Sequence, residues 1–225
     1  VLLCLLLTSA FVIPTSAQDT APVAPPQVGL RPDAPTYALH GPYWVGTQDF
    51  VINPEADEPL EITVWYPALN PDGIAEEIIY PAALKFEVPE GTVGTVHGHA
   101  LKDAAFDLVA APYPLVIFSP GFGAARTNYA HLTEHMASYG FVVIAPDHHE
   151  FFDPTWADIL PSTIYRPQDV LEVIAFADEL TVAGGGMAGV INTDLIAVAG
   201  HSYGGYTALA AAGGRFDING FNARC

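Results

Sequence analysis

Leu195-Ile196-Ala197-Val198-Ala199-Gly200-His201-Ser202-Tyr203-Gly204-Gly205 is the stretch on which the reading of this 225-residue chain turns. Five apolar residues come first, a run suited to a strand buried on both faces. Gly-x-Ser-x-Gly follows without a spacer, and an Ala-rich helix over residues 204–212 follows that. The motif alone is a weak signal; its context gives it meaning. A serine on a tight strand-to-helix turn projects its hydroxyl above the sheet, and the flanking positions must be small to avoid backbone clashes. Gly200 and Gly204 meet that need. The hydroxyl also lies over a helix N-terminus, whose amides favour developing negative charge. Ser202 is therefore the candidate nucleophile.

Working outward, Tyr113 to Ser119 contains the apolar run Leu115-Val116-Ile117-Phe118 and ends in Pro120-Gly121-Phe122-Gly123. Acyl transfer needs two donors for a tetrahedral oxyanion. One is the N–H of the residue after the nucleophile, here Tyr203; the other comes from the loop after an earlier core strand. Two glycines around Phe122 let that loop turn the Phe122 N–H toward the site. A helix is expected over residues 128–139, with Leu132, Met136 and Tyr139 on one face. Phe141-Val142-Val143-Ile144-Ala145 reads as another buried strand. Arg166 to Leu180 reads as a helix with Pro167 near its start and Val170, Val173, Ile174 and Ala177 at helical spacing. Nearer the N-terminus, residues 49–52 and 60–66 look like two strands, the second alternating as a half-exposed antiparallel strand does. Residues 67–112 show few periodic signals and read as a mixed insertion. Apolar strands alternating with amphipathic helices imply a mostly parallel sheet covered on both faces, with the two early strands as an antiparallel edge.

Three motifs together resemble one group: Tyr113 to Gly123, Tyr139-Gly140-Phe141-Val142-Val143-Ile144-Ala145-Pro146-Asp147-His148, and Gly200 to Gly205. Val64-Trp65-Tyr66-Pro67-Ala68 and Arg166-Pro167-Gln168-Asp169-Val170 add to the likeness. The group is the α/β-hydrolase branch containing platelet-activating-factor acetylhydrolases and dienelactone-hydrolase-like bacterial proteins; secreted cutinase-type polyester hydrolases are similar in two of these motifs. The resemblance covers about residues 41–225. It implies an ester hydrolase of the α/β-hydrolase fold with a Ser-Asp-His triad and no metal, and its oxyanion donors fall on Phe122 and Tyr203.

After Ser202 the sequence contains no histidine, and Asp217 is its only carboxylate. In this fold the acid and then the histidine follow the nucleophile. Asp217 comes too soon after the helix, with no further core strand between, to be assigned as the acid. A serine hydroxyl without a base is a poor nucleophile. The expectation is a C-terminally truncated hydrolase that holds the nucleophile and oxyanion half of a site and would not itself turn over substrate.

Other histidines are read more soberly. His131-Leu132-Thr133-Glu134-His135 matches H-x-x-E-H, a zinc pattern, but with no third ligand in view it reads as a surface helix. His97-Gly98-His99 offers two imidazoles that could bind a metal, but it reads as a solvated loop. His148 and His149 follow a core strand at the sheet edge where ligands bind, so they are candidates to line the site or to brace the oxyanion loop. Phe151, Phe152 and Trp156 are candidates for an acyl-binding wall.

Val1 to Ile13 is almost continuously apolar and Pro14-Thr15-Ser16-Ala17 precedes polar residues. This reads as a secretory signal peptide cut after Ala17, too short for a transmembrane anchor of about 20 residues. Residues 18–40 read as a linker and 41–225 as the hydrolase part. Cys4 departs with the signal, leaving Cys225 without a partner in the sequence. The formal charge of −18, with lysine only at positions 85 and 102, disfavours nucleic acid and anionic membranes. The expectation is an exported serine esterase without a cofactor, acting on small-molecule, lipid or polyester esters. The alternative is a non-catalytic hydrolase-like binding protein.

Overall fold

The computed structural model describes residues 35–82, 94–151, 157 and 159–215. The expected signal peptide, most of the linker, Phe152, Trp156, Asp217 and Cys225 lie outside them.

Eight strands and three α-helices organise the described residues: β1 (Trp44–Ile52), β2 (Leu60–Ala68), β3 (Ile78–Ala82), β4 (Gly94–Gly98), β5 (Leu101–Lys102), β6 (Tyr113–Ser119), α1 (Ala130–Ser138), β7 (Val142–Pro146), α2 (Ile159–Thr181), β8 (Ile191–Gly200) and α3 (Tyr203–Ala211). Six strands form one sheet in the order β5-β1-β2-β7-β6-β8. β6 pairs parallel with both β7 and β8, whereas β2 pairs antiparallel with β1 and β7. The sheet is α/β, mixed and mostly parallel among its core strands, as expected. The two-residue β5 lies outside β1, so β1 is not the edge.

Period-2 alternation sorts the core strands onto two faces. Ile62, Val64, Leu115, Ile117, Val142 and Ile144 pack with Val170, Val173, Ala177 and Leu180 of α2. Trp65, Val116, Phe118, Val143 and Ala145 pack with Ala130 and Ala137 of α1. β2 was expected to be half-exposed; it is buried along nearly its whole length, because helices cover both sides of a strand in mid-sheet. The α1 face differs in part from expectation: Met136 packs against the core, but Ala130, Thr133, Glu134, Ala137 and Ser138 point inward and Leu132 is 39 % exposed. Small residues let the helix approach the sheet closely.

Two further corrections concern element boundaries. The stretch 67–112 is not without structure: β3 and β4 pair antiparallel as a separate two-stranded sheet. α2 begins at Ile159, seven residues before Arg166, and carries Pro167 inside it. Proline lacks the N–H that would bond the carbonyl four residues back. That carbonyl, Thr163 O, instead accepts from the Tyr206 hydroxyl of α3 at 2.9 Å, so a tertiary bond replaces the missing helical one. β8, read as buried on both faces, is not: Leu195 is 58 % and Ile196 38 % exposed, because β8 is last in the strand order and has a neighbour on one side only among the described residues.

Candidate active site

The ends of β6, β7 and β8 converge at one sheet edge, with Ser119 paired to Gly200. At the exit of β8 the chain turns into α3 through Ser202, whose φ of 52° and ψ of −116° are unusual for a residue with a side chain. Such a conformation costs roughly 1–3 kcal/mol and persists only where the surroundings impose it. Here they do. Gly204 N donates to His201 O at 2.8 Å and Gly205 N to Ser202 O at 3.0 Å. A Cβ at Gly200 would lie 2.3 Å from Gly204 O, and one at Gly204 would lie 1.9 Å from Ser119 O. The glycines of the motif are thus dictated by backbone packed directly on backbone. Ser202 itself is exposed. His201 turns aside, its Nδ1 2.8 Å from the Tyr129 hydroxyl.

The loop over residues 119–123 faces this turn. Gly123 takes a φ of 66°, and the Gly121 N–H reaches the Tyr129 hydroxyl at 3.4 Å. The rings of Phe122 and Tyr203 meet edge to face with centroids 5.8 Å apart. Tyr203 is the first residue of α3, where an amide has no acceptor within the helix. The two residues assigned as oxyanion donors are therefore neighbours. Next to the loop, Arg126 ties the following turn to β2 and the end of β7 through Thr63, Glu61 and Asp147.

Sequence reasoning missed how this loop is anchored. Arg166, expected merely to begin a helix, is 1 % exposed. Its Nη1 donates to Pro120 O at 2.9 Å and its Nη2 to Gly121 O at 3.1 Å. Its charge is matched by buried Glu150, which accepts from Nε at 2.6 Å and contacts Nη2. The available signal was an arginine on an otherwise apolar helix face; only the fold shows what it meets.

Of the two roles open to His148 from the sequence, lining the site or bracing the loop after β6, its burial rules out the first and its bonds fit the second. It is buried, and its two nitrogens are engaged. Nδ1 donates to Asp169 Oδ2 at 2.6 Å, since a carboxylate accepts only. Nε2 then accepts from the Ser119 hydroxyl at 2.8 Å. Burial pushes the His148 imidazole below its ordinary value despite the bond from Asp169, so it stays neutral. Burial would raise Asp169, but the bonds from His148 and His149 outweigh it and hold the carboxyl below its usual range. His149 is partly exposed, 3.5 Å from Asp169 Oδ1, and that bond raises its imidazole above the ordinary value. His148 thus braces Ser119, at the root of the loop over residues 119–123. Phe151 has its backbone within the described residues, at the end of a short 3₁₀ turn.

The two metal-like patterns have structural explanations. Glu134 points inward and accepts from the Tyr80 hydroxyl at 2.8 Å and the His99 N–H at 2.9 Å. Burial raises its carboxyl, partly offset by those bonds. Gly98 lies against it, where a Cβ would come within 2.3 Å of Glu134 Oε1. His97 is on strand β4 rather than in a loop, and His135 bonds the Tyr37 carbonyl. Among the described residues no three His, Cys, Asp or Glu side chains converge as a metal site would require.

Two protein families match the chain. Platelet-activating factor acetylhydrolase, isoform II, matches residues 33–152, more than half of the sequence, and chlorophyllase matches residues 105–222. Among curated relatives, a platelet-activating factor acetylhydrolase of Gallus gallus is 32 % identical over 124 residues, which are 49 % of this chain and 29 % of that protein. One of Bos taurus is 28 % identical over 123 residues, 49 % of this chain and 28 % of that protein. Among solved structures, ferulic acid esterase from Streptomyces cinnamoneus superposes with a TM-score of 0.54 at 28 % identity, covering 80 % of this chain and 57 % of the other. The alignments span less than a third of the length of these curated relatives.

Proposed function

We propose, from the premise that the chain belongs to the α/β-hydrolases of the platelet-activating factor acetylhydrolase, isoform II family, that it supplies the nucleophile and oxyanion hole of an exported serine esterase. The observation that carries this is Ser202: exposed, at positive φ, on a strand-to-helix turn whose glycines are sterically required.

Ser202 Oγ attacks the carbonyl carbon of an ester. The developing oxyanion takes hydrogen bonds from the Phe122 and Tyr203 N–H groups, each such donor being worth about 10²–10³ in rate. The tetrahedral intermediate expels the alcohol and leaves an acyl group on Ser202, and water then releases the acid. The proton on Ser202 needs a base. His148 is buried and engaged elsewhere, His201 faces Tyr129, and residues 203–225 contain no histidine. In this proposal a histidine of the whole protein, outside these 225 residues, takes that proton, as the Ser, acid, His order of the fold requires.

The N-terminal apolar run supports export as a second element of the proposal. The substrate class is a carboxylic ester; the relatives' names point to acetylated phospholipids and to ferulic acid esters. The experiment is hydrolysis of p-nitrophenyl acetate, a phospholipid with a short sn-2 acyl chain and an ethyl hydroxycinnamate by the full-length protein and its Ser202→Ala variant. Serine-dependent hydrolysis of any of these supports the proposal. A folded full-length protein that binds such esters without cleaving them favours the binding-protein alternative.

A further inference from the structure

We infer that Arg166, charge-matched by Glu150, is the positioning residue of the oxyanion hole, fixing both of its donors from behind. The inference rests on the esterase reading above. It starts from the planarity of the peptide bond. In a trans peptide the C=O and the following N–H point in opposite directions. The carbonyl of Gly121 and the N–H of Phe122 belong to one such plane. Arg166 Nη2 holds that carbonyl at 3.1 Å, so the Phe122 N–H is directed away from Arg166. Nη1 holds the preceding carbonyl, Pro120 O, at 2.9 Å. Two bonds from one rigid fork to successive carbonyls leave the loop little freedom to rotate. A charged donor on the carbonyl also polarises the peptide and makes its N–H a better donor.

The same guanidinium meets the side chain of Tyr203, the residue that carries the other donor. Its central carbon lies 5.1 Å from the centroid of the Tyr203 ring, within cation–π range. The Tyr203 hydroxyl in turn donates to Ile159 O, at the start of α2, at 2.6 Å. One side chain on α2 therefore sets the loop of β6 and the N-terminus of α3 relative to each other. Glu150 makes this tenable: an uncompensated guanidinium with this degree of burial would be strongly unfavourable. Because oxyanion bonds strengthen as charge develops, loss of this positioning should lower kcat and leave KM nearly unchanged.

The test compares full-length wild type, Arg166→Lys, and the double variant Arg166→Met/Glu150→Met, which removes the pair without leaving a lone buried charge. The double variant should keep native near-UV circular dichroism, lose about 10²-fold in kcat and change KM by less than about threefold. Arg166→Lys, which retains a charge and can reach one carbonyl, should recover part of that loss. A folded double variant with wild-type kcat overturns the inference while the esterase reading stands. So does a loss confined to KM. If the double variant does not fold, an unchanged kcat in Arg166→Lys overturns the inference and a reduced one supports it. A wild-type protein that neither hydrolyses esters nor reacts at Ser202 with a fluorophosphonate overturns both.

Discussion

Ser119 ends β6, and Ser202 lies two residues beyond Gly200, the residue of the neighbouring parallel strand β8 that pairs with Ser119. Ser119 has what catalysis by serine is usually recognised from: a histidine on its hydroxyl and an aspartate on that histidine. Yet Ser119 is 0 % exposed, and its carbonyl is packed under Gly204. Ser202 has no histidine among the described contacts, but it is exposed on a strained turn at a helix N-terminus. The comparison separates two things a list of residue types merges. A Ser-His-Asp array in the interior is a hydrogen-bond chain whose members satisfy one another; with no access for an ester it is architecture. A nucleophile is made by access, backbone geometry and nearby donors, and the base completes it.

The largest expected effect follows directly. In the full-length protein Ser202→Ala should lower kcat for ester hydrolysis by roughly 10⁴–10⁶, measured by steady-state kinetics; a smaller loss would mean another nucleophile. His148→Leu should cost about 3 kcal/mol, because the buried Asp169 carboxylate loses its shorter imidazole bond and keeps only that of His149, read by urea unfolding. Gly204→Ala should cost at least about 2–3 kcal/mol, since its Cβ has Ser119 O in its place at 1.9 Å; unchanged stability would show that the turn is looser than described.

Acid should reveal the neutral state of His148. Its folded pKa is below the unfolded value, so below about pH 6.5 the unfolded chain takes up a proton that the buried ring refuses. Stability should therefore fall as pH drops through that region, by at most about 1.4 kcal/mol per pH unit from this group. His149, whose pKa is raised, acts in the opposite sense, its contribution being present in acid and lost as pH rises. The check is the difference in slope: between pH 6.5 and 5, stability of His148→Leu should fall less steeply than that of wild type. The smallest effect on activity belongs to Ser119→Ala. It should cost about 1–3 kcal/mol of stability by leaving His148 Nε2 unpaired, with kcat within about tenfold of wild type.

The parts of the molecule legible in the sequence were those where a run of residues acts alone. The apolar runs of β6, β7 and β8 and the Gly-x-Ser-x-Gly turn announce themselves through local sterics, and the mostly parallel sheet follows from their order. What was not legible depends on partners far along the chain. Pro167 looked like a helix start because proline favours the first turn; it sits inside α2 because Tyr206, some 40 residues later, bonds the carbonyl it leaves unpaired. β2 looked half-exposed because Thr63 and Glu61 alternate with apolar neighbours, yet Thr63 bonds Asp49 and Arg126 within the fold. The place of His148 after β7 left lining the site and bracing the neighbouring loop equally open, and choosing between them needs Asp169 on α2. Arg166 could be seen as a charge on an apolar face, but not as the anchor of a loop 45 residues earlier.

The most direct test of the account is to treat the full-length protein with a fluorophosphonate and map the modified peptide by mass spectrometry. One adduct is expected, on Ser202, abolished in Ser202→Ala and retained in Ser119→Ala. An adduct on Ser119, or a folded full-length protein with no adduct, would contradict it.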